Sequence, residues 1–103
     1  MIDFIKKLFG KNKVDYKALV ENGAQIIDVR TPAEFSNGNI RFSKNIPLQE
    51  LAAELKKLDV KKPIITCCAS GMRSASAKII FEQNGFSAYN GGNWKSLENK
   101  LKG

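Results

Sequence analysis

The 103-residue chain predicts an α/β fold, a small and mostly parallel central sheet flanked by helices on both faces. Two observations carry this reading. Short β-branched or aromatic runs at 25–29, 64–67 and 86–89 alternate with stretches of helical periodicity, the pattern of strands crossed over by helices. The apolar fraction of 43% and the charged fraction of 26% are those of an ordinary folded domain, and the length suits one domain.

The elements follow in order. Ile2, Ile5, Leu8 and Phe9 recur at helical spacing with Lys6 and Lys7 between them, so residues 1–13 are expected to be a short, basic, amphipathic extension, and 14–103 the single domain. The lysines interrupt the apolar stretch that a signal peptide needs. Asp15 can cap a helix through Tyr16, Leu19 and Val20 that ends near Asn22-Gly23. Gln25 to Val29 reads as a buried parallel strand. Thr31-Pro32-Ala33-Glu34 combines an N-cap threonine, proline in the first helical position and glutamate in the third, a capping box that opens a helix directly after the strand. Asn37-Gly38-Asn39 is a turn, and Ile46 belongs to a short strand closed by Pro47. Leu48, Leu51, Leu55 and Leu58 form one apolar helix face, and Pro63 prevents continuation. Ile64 to Cys67 is the second buried strand. Ser74 to Asn84 is helical, with Ala75, Ile79 and Phe81 among its apolar positions and Gly85 as C-cap. Phe86 to Tyr89 is a third strand, Gly91-Gly92 a tight turn, and Trp94, Leu97 and Leu101 the apolar side of a last helix.

Composition narrows the chemistry. There is no histidine, which removes the usual general base and the commonest metal ligand. The two cysteines, Cys67 and Cys68, are adjacent, too close for ordinary disulfide geometry, and two thiols without histidine cannot complete a zinc site. No metal and no cofactor are therefore expected, and a reduced, cytoplasmic location is. No apolar run approaches the ~20 residues of a transmembrane helix. The net charge of +7 lies mostly in peripheral segments. Only Arg30, Arg41 and Arg73 are arginines, which disfavours nucleic acid as a partner while leaving small anions attractive.

Ligands of open parallel sheets bind beyond the carboxyl ends of the strands. The reactive segment there is Thr66-Cys67-Cys68-Ala69-Ser70-Gly71-Met72-Arg73-Ser74: a strand ending in cysteine, a loop of small residues, then a helix start. Loop amides can converge on an anion, and the helix N-terminus adds partial positive charge. A sulfur at their focus would be acidified without imidazole. Cys68 is the candidate nucleophile, with Ala69, Ser70, Gly71, Met72, Arg73 and Ser74 as candidate substrate-binding residues. Alternation along the strand turns Cys67 the other way, into packing.

These residues resemble the single-domain rhodanese family of sulfurtransferases. The resemblance runs through Ile26-Ile27-Asp28-Val29-Arg30-Thr31-Pro32-Ala33-Glu34-Phe35, Gly38-Asn39-Ile40, Asn45-Ile46-Pro47-Leu48, the Cys68–Ser74 loop and Tyr89-Asn90-Gly91-Gly92-Asn93-Trp94, in the family's order over about residues 14–101. It implies that Cys68 takes sulfane sulfur from a small anionic donor such as thiosulfate, becomes a persulfide, and passes the sulfur to a thiol, a cyanide-like acceptor or an acceptor protein. Arg73 and Ser74 would favour anionic donors. Related phosphatases place one more residue between cysteine and arginine, so the six-residue ring from Cys68 to Arg73 favours sulfur over phosphate. Phosphatase or arsenate-reductase activity is the lesser alternative, and a binding or regulatory module without turnover is another. Asn39 stands where the family commonly has histidine. Asp28, Arg30, Glu34 and Trp94 are expected to be structural supports, Asp28 and Arg30 in a local network with Glu34 or loop backbone. The chain is expected to act as a monomer.

Overall fold

The computed structural model describes residues 14–103. The amphipathic extension expected at 1–13 lies outside them. Strands β1 (Gln25–Asp28), β2 (Lys44–Asn45), β3 (Ile64–Cys68) and β4 (Ala88–Asn93) form one sheet of order β2-β1-β3-β4, every neighbouring pair parallel. Helices α1 (Tyr16–Glu21) and α5 (Trp94–Lys102) cover one face. There Tyr16, Leu19, Val20, Leu97 and Leu101 pack on Ile26, Ile65 and Cys67. The other face carries α3 (Leu51–Glu54) with its flanking turns and α4 (Met72–Gln83). Leu51, Ala77 and Phe81 pack there on Ile27, Val29, Ile64 and Cys68. Adjacent residues of β1 and β3 thus serve opposite cores, which is why neither run alternates with polar residues.

Several elements start where the sequence places them. Asp15 accepts the Ala18 amide and caps α1. The capping box forms in full at α2 (Pro32–Ser36), Thr31 accepting from the Glu34 amide and the Glu34 carboxylate from the Thr31 amide.

Three elements differ from expectation. The leucine helix is not continuous: 3₁₀ turns at Leu48–Glu50 and Leu55–Lys57 flank α3. The leucine spacings of three, four and three explain this, since residues three apart stack best on the tighter 3₁₀ turn and residues four apart on the α-helix. The helix expected at 74–84 starts at Met72 and buries Ser74, Ala77 and Phe81, while Ile79 faces solvent. The strand expected at 86–89 also begins later, at Ala88. Phe86 closes α4 instead: its amide bonds the Phe81 carbonyl, and the Gly85 amide that of Glu82, a Schellman ending sealed by an edge-to-face contact of Phe81 with Phe86. The strand then runs on through Gly91-Gly92, which are not a turn between elements. Cys68 pairs with Asn93 but Thr66 with Asn90, so β4 carries one extra residue, a bulge that Gly92 accommodates with φ of +77°.

Candidate active site

The carboxyl ends of β1, β3 and β4 converge with the starts of α2 and α4. Cys68 is the last residue of β3, and α4 begins four residues later with Gly71 as its N-cap. Gly71 sits at φ +100°, a left-handed conformation that turns its amide back onto the strand end. That amide lies 3.0 Å from Cys68 Sγ and the Ser74 amide 3.3 Å, while the Cys68 thiol faces Ser74 Oγ at 3.4 Å. Cys68 itself is wholly shielded from solvent. Burial pushes its thiol up, but the hydrogen-bonding groups around the sulfur, the amides of Ser74, Gly71 and Ser70 among them, outweigh burial, leaving it more acidic than an ordinary thiol. Cys67, one residue away on the opposite face, is driven up, first by burial and then by the Asp28 carboxylate. The two thiols are thus separated in chemistry as well as in direction.

The rest of the loop is tied to β4. Asn93 Nδ2 donates to the Ala69 carbonyl at 2.6 Å and Asn90 Nδ2 to the Gly71 carbonyl at 3.3 Å. Ser70 Oγ accepts the Met72 amide, and the Met72 side chain is exposed. Asn90 and Asn93 have no counterpart among the expected site residues. The signal was present, two polar side chains flanking a Gly-Gly pair, but a turn reading there left them without a direction.

Arg73 is held by Glu34 through two parallel bonds of 2.8 and 2.9 Å. The Glu34 carboxylate also accepts from Thr31, so one side chain caps α2 and orients the guanidinium of the loop. Arg73, with help from Thr31, holds the Glu34 carboxyl down to about 2 from 4.5. A carboxyl depressed on folding stabilises above its unfolded value and loses that contribution as pH falls through its folded value. Melting temperatures of the native protein and of Glu34→Gln are therefore expected to differ above pH 4.5 and to converge as pH falls towards about 2. A difference independent of pH would refute the pairing.

Asp28 and Arg30 bond each other and main-chain carbonyls, that of Glu34 included, while the Glu34 carboxylate goes to Arg73. Arg30 donates to both Asp28 oxygens at 2.7–3.0 Å, to the Glu34 carbonyl at 3.2 Å and to the Gly38 carbonyl at 2.7 Å. Its guanidinium stacks 4.8 Å over the Trp94 ring. Asn45 Nδ2 bridges the Asp28 and Arg30 carbonyls, and Asn39 Nδ2 donates to the Phe35 carbonyl. Together these contacts stiffen the β1–α2 corner that carries Glu34. Among the described residues, no helix is long and apolar enough to cross a membrane.

Comparison with known proteins identifies the fold and the family. Residues 12–97 match the family model of the rhodanese-like domain. Thiosulfate sulfurtransferase GlpE of Pseudomonas aeruginosa is 38% identical over 71 residues, 69% of this chain. The uncharacterized protein YqhL of Bacillus subtilis is 37% identical over 81 residues, 77% of this chain. This chain spans 64% of the length of each of these two relatives. Among solved structures, reduced CoADR-RHD of Bacillus anthracis superposes with TM-score 0.72 at 36% identity, over 84% of this chain and 16% of that one. A rhodanese with anions from E. coli superposes with TM-score 0.68 at 27% identity, over 72% of this chain and 91% of that one.

Proposed function

The chain belongs to the rhodanese-like domain family, and on that premise we propose that it is a sulfurtransferase or sulfur-relay protein working through a persulfide on Cys68. The observation that carries the reading is Cys68 Sγ at a strand end, under the amides of Gly71 and Ser74 at the start of α4. This arrangement favours a thiolate in a site without histidine. With thiosulfate as donor, the thiolate attacks the outer sulfur. A new Sγ–S bond forms, the S–S bond of the donor breaks, and sulfite leaves with the bonding pair. Cyanide or a thiolate then attacks the outer sulfur of the persulfide, and the electron pair returns to Sγ. Both steps displace sulfur at sulfur and need no external oxidant or reductant.

Arg73 supplies permanent positive charge beside the loop, and its pairing with Glu34 fixes the direction of that charge. The E. coli neighbour is a rhodanese with anions, which supports an anionic donor here. Cys68 has no exposed surface, and the Ala69–Gly71 segment beside it is tied to Asn90 and Asn93. The family resemblance and the unpaired thiols support a soluble, reduced setting, and an acceptor protein is a candidate partner.

The test is intact-protein mass spectrometry after incubation with thiosulfate and, separately, with other sulfane donors. A mass increase of one sulfur atom, removed by cyanide, is expected. A folded protein that takes up sulfur from none of the donors would overturn the reading.

A further inference from the structure

Ser74 Oγ stands between two partners, Cys68 Sγ at 3.4 Å and Asn90 Oδ1 at 2.6 Å. A hydroxyl has one proton to give. The orientation of the Asn90 amide is fixed by two main-chain groups of unambiguous polarity. The Gly92 N–H, which can only donate, faces Oδ1 at 2.9 Å, and the Gly71 carbonyl, which can only accept, faces Nδ2. Oδ1 is therefore an acceptor, and the Ser74 proton points at it. The lone pairs of Ser74 Oγ are left facing sulfur, where they accept the Cys68 S–H.

We infer that Asn90 is a positioning residue that competes with Cys68 for the Ser74 proton and so opposes formation of the free thiolate. While Cys68 is a thiol, the chain Cys68 S–H to Ser74 O–H to Asn90 is complete. When Cys68 ionises, Ser74 can stabilise the thiolate only by leaving Asn90, whose Oδ1 then keeps the Gly92 amide alone. The other groups acting on the sulfur are the Gly71, Ser70 and Ser74 amides, Arg73 at the loop end, and Cys67 behind it on β3. None of these changes partner on ionisation. Asn90 is the adjustable member of the set.

The consequence rests on the persulfide reading. In the persulfide, Sγ bears neither proton nor charge, and Ser74 stays with Asn90 at no cost. Transfer of the outer sulfur returns an electron pair to Sγ and reopens the competition. Asn90 thereby biases the loop towards keeping its sulfur and selects for strongly nucleophilic acceptors.

The test is an ultraviolet titration of thiolate absorbance, which needs no access to the buried sulfur, using Cys68→Ala as the blank. Asn90→Ala is expected to lower the Cys68 midpoint by about half to one pH unit, the worth of one redirected hydrogen bond. The same change made in a Ser74→Ala background is expected to lower it no further. If Asn90 merely braced the loop, its loss would loosen the Gly71 amide and raise the midpoint. A raised or unmoved midpoint, or a fall that persists without Ser74, overturns the inference. Ser74→Ala alone gives a second check should Asn90→Ala fold poorly. It is expected to leave the midpoint unmoved or lower, and a rise would mean that Ser74 already donates to sulfur. A protein that titrates as expected but takes up no sulfur would refute the persulfide reading and leave the role of Asn90 standing.

Discussion

Cys68→Ser is expected to abolish sulfur uptake from thiosulfate, with no mass increase on the folded protein, whereas Cys67→Ala retains it. The expectation follows from the bond the reaction makes. Cys68 Sγ is itself the partner of the transferred sulfur, so no residual covalent route survives its loss. A serine hydroxyl beneath the same two amides remains protonated at neutral pH and cannot displace sulfite. The fold should tolerate the change, because the Gly71 and Ser74 amides that bond sulfur can bond oxygen instead. Cys67 makes the opposite pair of expectations. It is buried among Ile26, Ile65 and Leu97, and its thiol is harder to ionise than usual. Trimming it to alanine removes about one buried group, roughly 1 kcal/mol, and leaves the chemistry alone. Sulfur on Cys68→Ser, or none on Cys67→Ala, would reverse the assignment of the two adjacent thiols.

The opposite directions of those thiols were legible in the sequence because β alternation is rigid: consecutive residues of β3 must face opposite helix layers. The caps were legible for a similar reason, since Asp15 and the Thr31–Glu34 box act within a single turn. Contacts that needed three dimensions were less accessible. Glu34 reads locally as the third residue of a capping box, and it is one. Only the parallel register of β1 and β3 brings the start of α2 beside the start of α4, so that the same carboxylate also holds Arg73 across 39 positions of sequence. Asn90 and Asn93 were hidden differently. Gly91-Gly92 carries the chemistry of a turn, and a strand with an inserted residue presents the same two glycines. The bulge turns the asparagines on either side of the pair towards the Cys68 loop. At Leu48–Leu58 the pattern was visible and its period was misleading, since spacings of three and four suit both a helix and a mixture of 3₁₀ and α turns.

Asp28→Ala is expected to lower stability by roughly 3–5 kcal/mol, the cost of leaving the partner of a buried ion pair without its counter-charge. Asp28 has no exposed surface and Arg30 is 4% exposed, so water cannot replace the lost carboxylate. Arg30 cannot easily swing out, because it is also fixed to the carbonyls of Glu34 and Gly38 and stacked on Trp94. For a domain whose total stability is on the order of 5–15 kcal/mol, such a loss brings unfolding near to working temperatures. Two further variants separate the charge from the space it fills. Asp28→Asn keeps an acceptor for the Arg30 main-chain amide but removes the charge, and should fall between the native protein and Asp28→Ala. Asp28→Ala combined with Arg30→Met removes both charges and should be more stable than Asp28→Ala alone, since nothing ionic is left unpaired. Denaturant melts decide these rankings. Sulfur uptake, measured below the melting transition, should be retained in each variant, because the pair braces the corner carrying Glu34 and makes no hydrogen bond to the Cys68 loop. An Asp28→Ala protein with native stability and no sulfur uptake would instead make Asp28 part of the reaction.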